Sequence, residues 1–340
     1  MNVSIIKYII GYVLVSEGAF MALPCIVALI YRESDGWSFV MAGLLCLFLG
    51  FLLLRKKPKN RFFYVREGFV TVALSWIVLS IMGSVPFITT GAIPNPIDAL
   101  FETVSGFTTT GASILTDVEA LSKSVMFWRS FTHWIGGMGV LVLLLSLLHI
   151  KGNGSLINLM RAESPGPSVS KLAPTIRSTA KILYVIYVCM TLLEIVLLLL
   201  GKMPLFDALT ISFGTAGTGG FGIKNDSMAS YSSYLQVVVT IFMILFGVNF
   251  NAYFLILRKK FKQAFSIEEV RYYFLIILVS IAVISLVIQD MYGSFGEAVK
   301  HAAFQVGSII TTTGYASTDF NLWPEVPRTI LVLLMFVGAC

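Results

Sequence analysis

Residues 98–113 read DALFETVSGFTTTGAS, and residues 301–317 read HAAFQVGSIITTTGYAS. Without a gap, positions 99–111 and 302–314 share seven of thirteen residues, including the whole run Thr-Thr-Thr-Gly. Residues 207–222, DALTISFGTAGTGGFG, match more loosely, and one gap places Thr218-Gly219 opposite Thr110-Gly111. Each copy joins a half-length apolar stretch to a Thr/Gly cluster, so the chain contains an internal repeat that occurs three times.

The chain around these copies has the composition of a membrane protein. Of its 340 residues 57% are hydrophobic and only 12% are charged, whereas a soluble domain has about 25% charged residues. Blocks such as 141–148 and 192–200 would form helices that are apolar on every side, and such helices belong in lipid or in the centre of a large core. We therefore predict an all-α polytopic membrane protein.

Spanning the hydrocarbon layer takes about 20 mostly apolar residues. This criterion predicts seven spans and the start of an eighth, at 5–31, 37–54, 69–90, 126–150, 181–200, 234–257, 272–289 and from Thr329 onward. The first block is too long for the apolar region of a signal peptide, so it is predicted as a span. The three copies lie in the long segments after the third, fifth and seventh spans.

Charged residues are divided between the two sides of the predicted membrane. The loops 55–66, 151–181 and 258–271 hold 16 of the 24 Lys and Arg residues. By the positive-inside rule these loops and the N-terminus are cytoplasmic. The opposite side holds 12 of the 18 Asp and Glu residues, and acidic groups there would raise the local cation concentration.

The recurrence of the Thr/Gly cluster indicates a chemical role. Irregular backbone at membrane depth is tolerated only where it lines a water-filled path or is buried in protein. A short helix that enters from outside directs its partially negative end inward, and the backbone carbonyls that follow can replace the water around a cation. One such run is typical of a surface turn, but three at equivalent places favour a filter. The predicted ligands are the carbonyls of Thr109, Thr110, Gly111, Gly217, Thr218, Gly219, Thr312, Thr313 and Gly314.

Several further runs resemble a known family. They are Arg66-Glu-Gly68, 127–143 (FWRSFTHWIGGMGVLVL), 161–167 (RAESPGP) and 210–223 (TISFGTAGTGGFGI). Together with the three copies they resemble the Trk/Ktr/HKT superfamily of potassium transporters over essentially the whole chain. Two spans before the first copy bring the resemblance nearer to the bacterial Trk pore subunits than to Ktr transporters.

The resemblance implies helix–pore-loop–helix units of the potassium-channel type around a pseudo-fourfold pore. It also implies a homodimer in the bacterial cytoplasmic (inner) membrane, with a cytosolic nucleotide-binding regulatory subunit of the TrkA type. The expected organisation is 1–65 (two N-terminal helices), 66–150 (first repeat, filter 108–112), 151–257 (second repeat, filter 216–220) and 258–340 (third repeat, filter 311–315). The fourth repeat is absent from this chain, so we expect the 340 residues alone not to conduct.

The expected function is potassium uptake through this pore, driven by the membrane potential and open to coupling with another ion. K⁺ is the transported ion, and neither a cofactor nor an enzymatic activity is expected. The alternative is a secondary transporter of Na⁺ or of a small solute, a class that uses broken helices at the midplane. The GxGxxG match at 217–222 has no strand before it, which argues against a dinucleotide site.

Charged residues near the predicted spans have two readings each. Glu17 and Glu194 are candidates for a functional carboxylate or for helix packing. Arg129 either packs behind the first loop or pairs with Glu102, and Arg328 either packs or pairs with Glu325. The glycines Gly111, Gly219 and Gly314 are predicted to set ion selectivity.

Overall fold

The computed structural model describes residues 2–58, 65–139 and 176–338. All regular structure in these ranges is helical, which confirms the predicted all-α class. The second half of the predicted span 126–150 and most of the basic loop 151–181 lie outside the described residues. So does the middle of the basic loop 55–66.

The described residues form two compact units. The first takes its residues from Met1–Thr108, Ala112–Leu115 and Ala120–Val185. Its helices are α1 (Val3–Phe20), α2 (Ala22–Tyr31), α3 (Gly36–Leu54), α4 (Val65–Thr89), α5 (Pro96–Phe107), α6 (Lys123–Gly137) and the start of α7 (Ile176–Leu200). Glycines let α1 and α3 approach closely, since a Cβ on Gly18 would lie 2.8 Å from the Gly43 carbonyl oxygen. Small residues serve this purpose in membrane helices.

The second unit takes its residues from Thr109–Gly111, Thr116–Glu119 and Ile186–Cys340. After the rest of α7 it contains α8 (Leu205–Ala216), α9 (Ser233–Phe246), α10 (Phe250–Leu257), α11 (Phe261–Phe265), α12 (Glu268–Ile288), α13 (Phe295–Ile310) and α14 (Glu325–Val337), with 3₁₀ turns at Gln289–Met291 and Phe320–Leu322. Helices α12, α13 and α14 share a buried apolar core that includes Ile284, Val306 and Leu331.

Within the described ranges, five helical stretches are long and apolar enough to cross a membrane, namely Val3–Tyr31, Gly36–Leu54, Arg66–Thr89, Ala180–Leu200 and Glu268–Met291. They confirm five of the predicted spans. The predicted span 234–257 is instead a pair of helices, α9 and α10, bent by 91°. The break follows Phe246. The side chain of Asn249 accepts a hydrogen bond from the backbone N–H of Asn251 and so caps the N-terminus of α10.

Each copy of the internal repeat has the same local architecture. The helices α5, α8 and α13 are 12, 12 and 16 residues long, which is shorter than the length of about 20 residues that spans a bilayer. Each ends directly before its Thr/Gly cluster. We call residues 108–111, 217–220 and 311–314 the first, second and third Thr/Gly segments.

Candidate ion-coordination site

The three Thr/Gly segments share one unusual backbone conformation. Thr109, Thr218 and Thr312 have φ angles of 55°, 51° and 59°. A glycine two residues later again has a positive φ, of 73° at Gly111, 76° at Gly220 and 84° at Gly314. A β-branched residue rarely adopts the left-handed region, and strain of this kind concentrates at functional sites.

Hydrogen bonds fix the register between the second and third segments. The backbone N–H groups of Thr313 and Gly314 donate to the Ser308 carbonyl at 2.8 and 3.3 Å. Those of Gly219 and Gly220 donate to the Gly214 carbonyl at 2.9 and 3.4 Å. Gly220 therefore corresponds to Gly314, and Gly219 corresponds to Thr313.

This register corrects the alignment made from the sequence. The gap that placed Thr218-Gly219 opposite Thr110-Gly111 is wrong by one residue, because Thr218 shares the conformation of Thr109 and Gly220 shares that of Gly111. Counting identical residues favoured the shared Thr-Gly pair, whereas the end of the preceding helix sets the true register. The shared Asp-Ala-Leu at 98–100 and 207–209 gives the ungapped alignment directly.

The glycines of neighbouring segments press against carbonyl groups. A Cβ atom on Gly111 would lie 2.0 Å from the carbonyl oxygen of Gly219. A Cβ atom on Gly220 would lie 1.7 Å from the carbonyl oxygen of Thr313. Glycine is therefore required at both positions, by the close approach and by the positive φ. The structure thus brings carbonyl oxygens of the second and third segments together with glycines of the first and second.

The predicted ligand residues fall into distinct places within the segments. Thr109, Thr218 and Thr312 open the left-handed turn, and Thr110, Gly219 and Thr313 follow them. Gly111 and Gly314 occupy the glycine position, which in the second segment belongs to Gly220, a residue outside the predicted set. Gly217 is the C-terminal cap of α8, with an ordinary φ of −76°. A Cβ atom on Gly314 would meet no atom within 4 Å.

Threonine hydroxyls hold the ends of the short helices. Thr108 Oγ1 donates to the Val104 carbonyl at 2.7 Å, and Thr311 Oγ1 donates to the Gly307 carbonyl at the same distance. Thr311 Oγ1 also lies 2.7 Å from Thr313 Oγ1. Each of these carbonyls also accepts the backbone N–H of the same threonine, at 2.9 and 3.2 Å, so the hydroxyl adds a second bond at the last turn of each helix.

A buried ion pair holds the backbone at Ser113 and Ile114, directly after the first segment. Arg129 Nε lies 2.5 Å from Glu102 Oε1, and both residues are buried. The same carboxylate accepts hydrogen bonds from Ser113 Oγ at 2.9 Å and from the backbone N–H of Ile114 at 3.1 Å. The predicted pairing of Arg129 with Glu102 is confirmed.

The loops after the segments are also tied to one another. Asn225 accepts a hydrogen bond from the backbone N–H of Val118 at 2.9 Å and donates to Asp117 Oδ1 at 2.8 Å. The backbone N–H of Met228 donates to the Ala316 carbonyl at 2.9 Å. Asp117 and Glu119 of the first loop therefore accept hydrogen bonds from the side-chain amide and the backbone N–H of Asn225 in the second.

The remaining charged candidates are placed as follows. Glu17 and Glu194 are buried, and within the part of the chain that the structure describes the Glu17 carboxylate has no hydrogen-bond partner. Arg328 and Glu325 are exposed, and no ion pair joins these two described residues. The described ranges contain no group of three or more His, Cys, Asp or Glu side chains placed to hold a metal.

Comparison with known proteins gives one family. The family model of TrkH, described as a cation transport protein, matches residues 36–340. The Trk system potassium uptake protein TrkH of Halomonas elongata is 33% identical over 347 residues, which cover 100% of this chain and 72% of that protein. The protein of the same name from Escherichia coli is 34% identical over 349 residues, with the same coverage.

A solved structure matches over the same extent. The potassium transporter TrkH from Vibrio parahaemolyticus is 31% identical and superposes with a TM-score of 0.86. The match covers 100% of this chain and 71% of that one. The chain therefore belongs to the TrkH family of cation transport proteins.

Proposed function

We propose that this protein takes up potassium through a channel-like pore whose selectivity filter includes the three Thr/Gly segments. The observation that carries the proposal is the interlocking of the segments, with Gly111 against the carbonyl of Gly219 and Gly220 against that of Thr313. Only glycine permits carbonyl-bearing backbones to approach in this way. The relatives from Halomonas elongata and Escherichia coli, both named as potassium uptake proteins, support potassium as the ion.

The proposed chemistry is the exchange of water for carbonyl oxygens. A potassium ion that enters loses part of its hydration shell, and the carbonyls of the segments replace it. We assign the ligands to Thr109, Thr110, Gly111, Thr218, Gly219, Gly220, Thr312, Thr313 and Gly314. Gly220 thus joins the set in the place that the sequence alignment gave to Gly219, and Gly217 remains the helix cap.

The membrane potential is sufficient to drive uptake. A unit charge gains about 2.3 kcal/mol for each 100 mV of potential. At about 1.4 kcal/mol per factor of ten, this sustains an accumulation of roughly fifty-fold. No phosphoryl-transfer chemistry is required of the chain itself.

The proposed architecture is a set of helix–pore-loop–helix units around a pseudo-fourfold pore, with boundaries at 66–150, 151–257 and 258–340 after the N-terminal helices 1–65. The distribution of Lys and Arg supports a cytoplasmic N-terminus in the bacterial inner membrane. We place a homodimer in this membrane, with a cytosolic nucleotide-binding regulator of the TrkA type below it. The basic loops 151–181 and 258–271 are the proposed surface for that regulator.

Uptake into a potassium-auxotrophic host that expresses the full-length gene product tests the function. We expect growth on low potassium, saturable uptake of the potassium analogue Rb⁺, and a reversal potential in proteoliposomes that follows the K⁺ gradient. A reversal potential that follows only the Na⁺ gradient would instead support a sodium transporter, and the potassium assignment would be wrong.

A further inference from the structure

Tyr315 directly follows the glycine of the third segment, and its side chain reaches the second copy. The residue is 1% exposed. Its hydroxyl lies 3.3 Å from the carbonyl oxygen of Ile211 in α8 and 3.4 Å from that of Phe221. Both distances exceed the usual O–H···O distance of about 2.7–2.8 Å, so each of the two contacts is weak. Phe221 holds the same place after Gly220 that Tyr315 holds after Gly314.

In the third copy, the equivalent carbonyl accepts a hydrogen bond from a side-chain hydroxyl. There Ser308, in the last turn of α13, donates its hydroxyl to the carbonyl oxygen of Tyr315 at 2.6 Å. The corresponding residues of the second copy are Gly214 and Phe221. Gly214 has no hydroxyl, so the same bond cannot form there, and the hydroxyl near the Phe221 carbonyl is that of Tyr315.

The Tyr315 hydroxyl occupies the space that a side chain on Gly214 would need. A Cβ atom on Gly214 would lie 2.2 Å from that hydroxyl oxygen and 3.1 Å from the ring carbon that bears it. The Tyr315 hydroxyl can therefore occupy this position only because residue 214 has no side chain. The phenol supplies, from the third copy, the hydroxyl that a serine supplies within the third copy itself.

We propose that Tyr315 is a positioning residue for ion selection, because its hydroxyl holds the backbone that follows Gly220 against α8. The inference rests on the proposed function, in which Gly219 and Gly220 lie in the filter. A filter strand that loses this support can move inward around a smaller cation. The tyrosine thereby fixes the spacing of the second and third segments together.

Removal of the hydroxyl should leave the surrounding structure in place. The backbone next to Tyr315 has its own ties, since Ala316 accepts from the N–H of Met228 at 2.9 Å and donates to Ser227 Oγ at 3.1 Å. The phenyl ring remains in Tyr315→Phe. This variant therefore tests the hydroxyl and not the packing.

The experiment measures the Na⁺/K⁺ permeability ratio from reversal potentials of the full-length gene product in proteoliposomes. The loss of this long, shared hydrogen bond predicts that Tyr315→Phe raises this ratio about two- to threefold, the lower end of what one hydrogen bond contributes. Gly214→Ser alone should impair transport, because its Cβ would overlap the Tyr315 hydroxyl. The double variant Gly214→Ser/Tyr315→Phe moves the hydroxyl onto α8 and should return the ratio toward that of the wild type.

Two controls distinguish the effect of the hydroxyl group from the effect of side-chain volume. Gly214→Ala/Tyr315→Phe relieves the same overlap without restoring a hydroxyl, so its ratio should stay raised. Tyr253→Phe removes another tyrosine hydroxyl that donates to a carbonyl, that of Leu245 at 2.6 Å, and should leave the ratio unchanged. If the single variant aggregates, the comparison of the two double variants decides the question by itself.

The possible results point to different conclusions. A potassium-selective wild type with an unchanged ratio in Tyr315→Phe would overturn the role of Tyr315 and leave the proposed function standing. Equal recovery by the Ala and Ser double variants would also overturn it, since the hydroxyl would then be dispensable. A wild type with no preference for K⁺ would instead contradict the proposed function.

Discussion

The substitution Gly220→Ala adds one methyl group where the second and third segments meet. The new Cβ would lie 1.7 Å from the carbonyl oxygen of Thr313. Ordinary contact at about 3.5 Å therefore requires a separation of roughly 1.8 Å more between the two segments. The alanine would also keep a φ of 76°, at a cost of about 1–2 kcal/mol for an L-residue.

A displacement of this size exceeds what a binding constellation tolerates. Functional groups must be held within about 0.5 Å of the productive geometry. We therefore expect Gly220→Ala to lower the maximal rate of Rb⁺ uptake by at least about tenfold, which corresponds to about 1.4 kcal/mol. Uptake by the potassium-auxotrophic host measures this, with membrane protein levels determined by immunoblot.

Two matched glycine variants sharpen the test. A Cβ on Gly222 meets nothing closer than 3.5 Å, so Gly222→Ala should transport like the wild type. Gly219 corresponds to Thr313, which carries a side chain in the third copy, so Gly219→Ala should be milder than Gly220→Ala. The alignment with a gap predicts the reverse order for these two. Wild-type Rb⁺ uptake by Gly220→Ala at normal protein levels would refute the carbonyl-filter reasoning.

Three further predictions concern other parts of the chain. Glu102→Gln leaves Arg129 buried without a carboxylate partner and should lower the free energy of unfolding by about 3–5 kcal/mol. The loss is measured as a lower melting temperature in detergent. An unchanged melting temperature would contradict the anchoring role of Glu102. Reversing the charges of Lys259 and Lys260 should weaken co-purification with the proposed cytosolic regulator most at low salt, where surface charges are least screened, and wild-type recovery at every salt concentration would leave these residues only a topological role. The hydrogen bond from Lys300 lowers the pKa of the Glu297 carboxylate below its ordinary 4.5, so the stabilisation is complete above pH 4.5 and is lost as the pH falls through the lowered pKa. The difference in melting temperature between wild type and Glu297→Gln should therefore shrink on acidification, and a constant difference would show that the carboxylate charge is unimportant.

The sequence predicts those features that depend on side-chain chemistry along a continuous run. Uniformly apolar stretches reveal five of the spans, since a helix in lipid needs apolar residues on every side. The pairing of Glu102 with Arg129 is one of the two interpretations that the sequence leaves open, since buried charges need a partner, and the structure selects it.

Other features depend on backbone geometry that residue types do not specify. The break before Asn249 lies between two apolar helices, so average hydropathy across 234–257 shows no interruption. The register of Gly220 follows from where α8 ends, whereas residue identity favoured Gly219. The contact of Tyr315 with Gly214 joins residues 101 positions apart, and no local sequence pattern predicts it.

The contacts among the segments run in one direction around the site. Gly111 of the first segment lies against the carbonyl of Gly219 in the second. Gly220 of the second segment lies against the carbonyl of Thr313 in the third. An enlarged residue in one segment therefore displaces the oxygen of the next segment and not that of the previous one. Single substitutions will therefore displace the carbonyl oxygens of the segments unequally, and a pair at Gly111 and Gly220 will not have additive effects, because both act through the position of the second segment.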